Sequence, residues 1–598
     1  MGIKHFFTWF KQTFPTSIIN FQESTPPTEL VEIDTFMIDL NGVFHNSAQK
    51  IYQYGNHARP RSMLGRKQPA KSILQEKCFE DICNTIEKLV KISQPKKKLV
   101  LCIDGVAPQS KQNQQRQRRY RSSIDEDNNN LEKESIFDTC SITPGTKFMD
   151  YLSKYIDWYI RKRISESPIW ANLEIVFSNE KVPGEGEHKL INYIRKFGME
   201  DETFCINALD ADLVMLSLAT HKPRFYLLRE DLYTSEIDYM YVDIGQVRKD
   251  LLNLMKWSDS PNEKKIVNDF ILICFLCGND FLPNIPSIAI MDKGLDTIID
   301  LYKMACRKED SYLTDDQNRF IKNSFKSFLH LISISEKPLL EQKILHKNDY
   351  ISEPLLEKYT HTTNINNPNQ NEISNENSSD ENSSDGNSSN ENTLKATINL
   401  DFENYRKEYY ELKGMNKQLE KICHMYLEGC QWVLTYYTKG ISDWTWLFPF
   451  HYSPFACELV QNIDTYCQKD IIETSPLLPF QQLLCVLPPK SSYLVPVPLN
   501  NLFKAGSSLS KYYPETFHIN YEGKKRKWEG VVELPVVDIQ EVRRAYSQFA
   551  GHISDTEKRR NIVGKSFSYK FSTDFTSEFK SYFGNIKHCN VEVEEVLF

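Results

Sequence analysis

At 598 residues, with 40% hydrophobic and 12% aromatic side chains, the chain is long enough for roughly two to four domains around a large buried core. No apolar run approaches the roughly 20 residues needed to span a bilayer, and the fourteen cysteines are scattered rather than framed, which excludes a disulfide scaffold. The net charge of −8 does not exclude a nucleic-acid partner, because six acids between Thr362 and Leu394, with no Lys or Arg among them, supply −6 of it.

The first residues, MGIKHFFTW, lack the apolar stretch and cleavage site of a secretory signal, and Phe6 stands where a myristoylation signal needs Ser or Thr. The chain is therefore expected inside the cell and unanchored, cytoplasmic in preference to nuclear. Strand-like apolar runs then recur and lead into acids: TFMID to Asp39, KLVLCID to Asp104, LEIVFS ahead of Glu185 and Glu187, and FCINALD to Asp210. Helical patterns lie between them, as where Phe148, Leu152, Ile156 and Tyr159 recur every three or four residues. This alternation predicts an α/β fold, a mainly parallel twisted sheet flanked by helices, whose ligands bind beyond the carboxyl ends of the strands.

Lys111 to Arg121 holds five basic residues and no acid. Lys111, Gln115, Arg118 and Arg119 would share one face of a helix, either as a solvated basic surface or as a phosphate pocket. Cys274 and Cys277 form a CxxC pair inside the apolar run ILICFLCG, with no second Cys/His pair nearby, so a buried structural role is expected rather than zinc. The Asn/Ser-rich segment from Thr362 to Thr393 has almost nothing to bury. It predicts a first region of residues 1–360, a disordered linker over 361–396 and a second, aromatic-rich α+β region over 397–598. KKRK, Lys524 to Lys527, reads as a solvated turn between two strands or as a nuclear signal.

Glu185 and Glu187 in PGEGEHK, and Asp210 and Asp212 in LDADL, are spaced i and i+2, which puts both side chains of an extended pair on one side. With Asp39, Asp104 and Asp280 they make seven carboxylates that converge if the strands align. So many like charges need cations to offset them, and all-oxygen ligation suits two Mg²⁺ ions, with Mn²⁺ able to substitute, in phosphodiester hydrolysis.

Several long motifs in order resemble the Xrn family of 5′-to-3′ exoribonucleases. They are MGIKHFFTWF, MIDLNGVFHN, CIDGVAPQSKQNQQRQRRYRS, FDTCSITPGTKFM, VPGEGEHKLINYIR, LDADLVMLSLATHKPRFYLLRE and GNDFLPNIPS, then EGCQWVLTYYTKGISDWTWLFPFHYSPF, PFQQLLCVLP and GKKRKWEGVVELP after the linker. The resemblance implies a PIN/flap-nuclease-like core with the second region closing over it. It puts the family's metal-binding acids at Asp39, Asp104, Glu185, Glu187, Asp210, Asp212 and Asp280, and the pocket for a 5′-monophosphate at Lys111, Gln115, Arg118 and Arg119. It matches His45 to a base-stacking His, with Trp444 or Trp446 in SDWTWLF as its expected aromatic partner.

The activity implied is processive removal of nucleoside monophosphates from single-stranded RNA bearing a 5′-monophosphate, as in the decay of decapped messages. A 5′ flap endonuclease or DNA exonuclease shares the acids and is the alternative. An inactive 5′-end-binding scaffold would have lost some of the seven. The chain departs from the family at Lys4 and His5, where a Pro is common, and over Gln49 to Pro69. The long carboxyl-terminal extensions of the cytoplasmic members are expected to be absent after Phe598.

Overall fold

The runs TFMID, KLVLC, EIVFS and FCIN form strands that are buried almost throughout, as continuous apolar segments do in parallel sheets covered on both faces. The computed structural model describes residues 2–3, 5–27, 29, 31–57, 70–128, 137–208, 210–231, 238–364, 396–470 and 472–597. Lys4, residues 58–69 of the divergent loop and residues 365–395 of the expected linker lie outside them.

The strands are β1 (Ile18–Phe21), β2 (Thr35–Asp39), β3 (Lys98–Cys102), β4 (Glu174–Ser178), β5 (Phe204–Asn207), β6 (Phe225–Glu230), β7 (Tyr239–Asp243), β8 (Thr360–Asn364), β9 (Ala396–Leu400), β10 (His518–Asn520), β11 (Val531–Glu533), β12 (Ser566–Phe579) and β13 (Ile586–Val596). Nine of them make one sheet in the order β1-β7-β6-β5-β2-β3-β4-β12-β13. The five central strands, β6 to β4 in that order, run parallel, and each edge carries antiparallel strands. The fold is thus the expected mixed α/β architecture with a largely parallel central sheet.

Alternation along the strands sends Met37, Val100, Val176 and Ile206 to one face and Phe36, Ile38, Leu99, Leu101 and Ile175 to the other. The helices Leu40–Tyr52, Lys71–Ser93 and Lys147–Glu166 cover the second face. Phe148, Leu152 and Ile156 point inward from the last of these as their spacing predicts, and Thr146 caps it by accepting from the Met149 amide. The first face packs against Gly186–Phe197, Glu263–Leu276 and, without a break in the apolar cluster, Leu419–Lys439 of the second region.

That second region also supplies the hairpin β12–β13, which joins the main sheet with Phe567 opposite Phe177 of β4. The ends of the expected linker differ from expectation as well: β8 and β9 pair antiparallel, so residues 361–364 and 396 belong to a two-stranded ribbon. Neither Cys274 nor Cys277 is in a disulfide: Cys274 is buried in the core near the end of the helix Glu263–Leu276, and Cys277, just after it, is half-buried against that core. KKRK lies in the connection between the paired strands β10 and β11. Among the described residues no helix is long and apolar enough to cross a membrane.

Candidate active site

The parallel strands end at one rim, and the acids gather there. Asp39 closes β2 and caps the helix Leu40–Tyr52, accepting from the Asn41 amide at 3.1 Å. Asp104 follows β3 and interlocks with Asn41: the Asn41 amide nitrogen donates to Asp104 Oδ2 at 2.8 Å, and the Asp104 backbone donates back to Asn41 Oδ1 at 3.0 Å. The Gly186 amide donates to Asp104 Oδ1 at 2.6 Å. Gly186 itself presses on Asp39, for a Cβ added there would lie 2.4 Å from Asp39 Oδ1.

The paired acids are not extended as their spacing suggested. Glu185 is the N-cap and Glu187 stands in the first turn of the helix Gly186–Phe197, and Asp212 caps the short helix Leu213–Leu218. Helix N-termini carry partial positive charge, which favours carboxylates there. The turn also splits the glutamates. Glu185 Oε2 meets Lys111 Nζ at 2.6 Å, whereas Glu187 joins Asp210 and Asp212, with one oxygen from each of these three lying within 4.8 Å of the others. Asp280, in the loop after Glu263–Leu276, takes the other side of Lys111 at 2.9 Å.

Burial, then Asp104, pushes the Asp39 carboxyl well above the usual range; burial, then Asp212, does the same to Glu187. Asp280 is buried too, yet the Lys111 ammonium holds it below the usual range. Asp212 Oδ1 is buried without a partner among the described residues. An all-oxygen donor set with an unpartnered oxygen and suppressed ionisation fits a hard divalent cation.

The basic segment forms the helix Gln109–Asn128, with Lys111, Gln115, Arg118 and Arg119 on one face. Lys111 ends among the acids rather than beside the arginines. Seven residues, or roughly 10 Å of helix, separate it from Arg118. Arg118 is exposed into a cavity of about 480 Å³ that also reaches Asp210 and Asp280. Arg119 Nη2 donates to Thr143 Oγ1 at 2.8 Å, but its Nη1 and Gln115 Oε1 are buried without partners. Buried polar groups left this way carry a penalty that a ligand would relieve. His45, on Leu40–Tyr52, is held neutral, its pKa lowered to about 4 by burial and then by Arg118 and Arg119.

Neither Trp444 nor Trp446 lines the cavity that Arg118 reaches. Trp446 is 7% exposed and stacks on Trp432, ring centres 4.9 Å apart, so its ring is core. SDWTWLF also reaches the basic helix through its backbone. The Trp444 carbonyl accepts from the Gln109 amide at 2.9 Å and the Trp446 carbonyl from Ser110 Oγ at 2.7 Å, anchoring the start of the basic helix. Of the aromatics that line the cavity, Trp528 stands out as 54% exposed. Arg121 of the basic helix donates to the Trp528 and Gly530 carbonyls, and Glu529 accepts from His5 at 2.8 Å, so the divergent His5 helps fix this loop. A signal for Trp528 was present: a large aromatic within KKRKWEG, a charged turn, is poorly placed to be buried.

A parallel sheet with an oxygen-only carboxylate cluster at its carboxyl rim and a basic helix beside it defines an α/β protein whose rim could hold a divalent cation. The sequence matches the family described as XRN 5′-3′ exonuclease N-terminus over residues 1–231, and the Xrn1 helical domain over residues 261–353 and 336–593. The chain belongs to this Xrn family. It is 28% identical to 5′-3′ exoribonuclease 1 of Saccharomyces cerevisiae, over 100% of this chain and 46% of that protein. It is also 28% identical to a 5′-3′ exoribonuclease 2 homolog of Drosophila melanogaster, over 95% of this chain and 73% of that protein. A similar match, 28%, covers 94% of this chain and 72% of 5′-3′ exoribonuclease 2 of Gallus gallus. The chain thus spans about half the length of the yeast relative and about three quarters of the other two.

Proposed function

We propose that the protein is a 5′-3′ exoribonuclease that processively degrades single-stranded RNA with a 5′-monophosphate, releasing nucleoside monophosphates, with two Mg²⁺ ions held by the seven acids. The observation that carries this reading is that one helix, Gln109–Asn128, brings Lys111 to the carboxylates and Arg118 to the same cavity. A terminal phosphate gripped by Gln115, Arg118 and Arg119 would then leave the first internal phosphodiester near the acids. Asp39, Asp104, Glu185, Glu187, Asp210, Asp212 and Asp280 would hold the ions. Bound there, divalent ions supply Lewis-acid chemistry, lowering the pKa of an attacking water and offsetting charge on the leaving oxygen.

The arginines give direction, because only a chain end presents a phosphate that can enter the pocket, and a cap or triphosphate is larger. Neutral His45 and the exposed Trp528 supply stacking faces that ignore base identity, which suits stepwise movement. Lys111, already between Glu185 and Asp280, would lend positive charge to the cleaved phosphate's side of the centre.

Two variants separate these roles. Arg118→Ala should reduce the rate ratio between 5′-monophosphate and 5′-hydroxyl RNA at least ten-fold, since a charged hydrogen bond is worth about 1.5–3 kcal/mol. Trp528→Ala should raise KM on both RNAs alike, by a factor on the order of ten, as expected for one lost stacking contact of about 1–3 kcal/mol. Steady-state rates on the two RNAs check both. An unchanged end preference in Arg118→Ala would remove that residue from the pocket, and an unchanged KM in Trp528→Ala would remove the indole from the RNA path.

A further inference from the structure

Tyr436 and Tyr437 belong to the helix Leu419–Lys439 of the second region, far from the acids in sequence, yet both reach them. The Tyr436 hydroxyl donates to Glu185 Oε1 at 2.7 Å, and the Tyr437 hydroxyl donates to Asp212 Oδ2 at 3.4 Å. His188, next to Glu187, lies flat on Tyr436 with ring centres 3.7 Å apart and planes 7° apart, and edge-on to Tyr437 at 5.6 Å. The three rings are 2–3% exposed. This interlock ties the helix that carries Glu187 to a helix that offers no carboxylate of its own to the cluster.

We propose that Tyr436 and Tyr437 are positioning residues of the metal centre: their hydroxyls fix Glu185 and Asp212, so that cations bind at full affinity only with Leu419–Lys439 docked. The inference rests on the metal-centre reading above. Core packing alone would be served by Phe, and a buried hydroxyl is tolerated when it has a partner. Here both partners are carboxylates of the cluster. In Asp212 the hydroxyl takes Oδ2 and leaves Oδ1 unpartnered, and in Glu185 it takes Oε1 while Lys111 takes Oε2. Groups that hydrogen-bond a metal ligand typically change affinity by roughly 10–100-fold when removed. A second region placed this way would act on the centre while contributing none of the seven acids.

The test is calorimetric titration of the whole protein with Mn²⁺ alone, comparing wild type with Tyr436→Phe, Tyr437→Phe and Tyr569→Phe. Tyr569, on β12, is 2% exposed and donates to Asp157, a carboxylate outside the cluster, at 2.6 Å, so it controls for loss of a buried hydroxyl. Tyr436→Phe should weaken Mn²⁺ binding roughly ten-fold, Tyr437→Phe less because its bond is longer, and Tyr569→Phe not at all. The Mg²⁺ concentration for half-maximal activity should rise in step, with KM for RNA unchanged. Melting curves without metal should match across all four proteins. Equal Mn²⁺ affinity in wild type and Tyr436→Phe would overturn the inference alone; wild type that takes up no Mn²⁺ would overturn the metal-centre reading and the inference with it.

Discussion

Asp210→Ala and Glu187→Ala should each lower turnover on the order of 10³-fold or more while leaving RNA affinity within a factor of a few, because metal assistance supplies several kcal/mol to the reaction and little to substrate binding. The two side chains share one triangle of oxygens with Asp212, and removing either leaves two donors where three converge. Folding should not suffer in Glu187→Ala. Glu187 is buried among like charges that push its carboxyl up, so in the folded, metal-free protein its ionised form is unfavourable. A raised folded-state pKa means that the unfolded chain loses its proton first. Metal-free stability is therefore lost as pH rises above the ordinary glutamate value of about 4.3. Glu187→Gln should accordingly melt higher than wild type at neutral pH without metal, and Mg²⁺ should raise its melting temperature less. Single-turnover rates, RNA binding and melting curves of the same preparations check these points; normal turnover by either alanine variant would take that acid out of the centre.

Gly186→Ala should have an effect of similar weight for a steric reason. Gly186 is the first residue of its helix, where alanine's advantage over glycine is smaller than the about 1 kcal/mol of a helix interior and is set against the strain of an added Cβ, so the melting temperature should change little. Its Cβ, however, would lie 2.4 Å from Asp39 Oδ1 and 2.8 Å from Asp39 Cγ, and the carboxyl is buried and held by the Asn41 amide. Either Asp39 turns out of the centre or the first turn of Gly186–Phe197 shifts, taking with it the amide bonded to Asp104. A displacement of about 1 Å at a reacting centre can lower the rate roughly 100-fold. Loss of activity on that scale with unchanged melting is the expected result; full activity would mean that Asp39 has room to move and that its position matters less than the geometry implies.

Features that depend on local pattern were legible in the sequence. Unbroken apolar runs leading into acids located β2, β3, β4 and β5 and the rim where their acids converge, and three-to-four-residue spacing located Lys147–Glu166 and the basic face of Gln109–Asn128. Features that depend on distant packing were not. The pairing of β12 with β4 joins residues almost 400 positions apart, and strand–strand pairing at a sheet edge leaves no periodic trace of its partner. Tyr436, Tyr437, Trp432 and Trp446 stand in one aromatic-rich stretch with the same composition signal, yet two reach carboxylates and two stack in the core. Composition cannot separate them because the difference is what the fold packs against each ring, and Trp446 lies beyond the helix that carries the other three. Trp528 carries no periodic signal, and the charged residues around it keep its ring exposed.

The measurement that bears most directly on the central claim follows the products formed by the purified protein with Mg²⁺ from one single-stranded RNA carrying a 5′-monophosphate, a 5′-hydroxyl or a 5′-triphosphate. Nucleoside monophosphates released stepwise from the monophosphate RNA, with the other two largely intact, is the predicted result. Internal cuts, or equal rates on all three ends, would contradict it and point instead to a flap-type endonuclease or a nuclease that does not read the 5′ end.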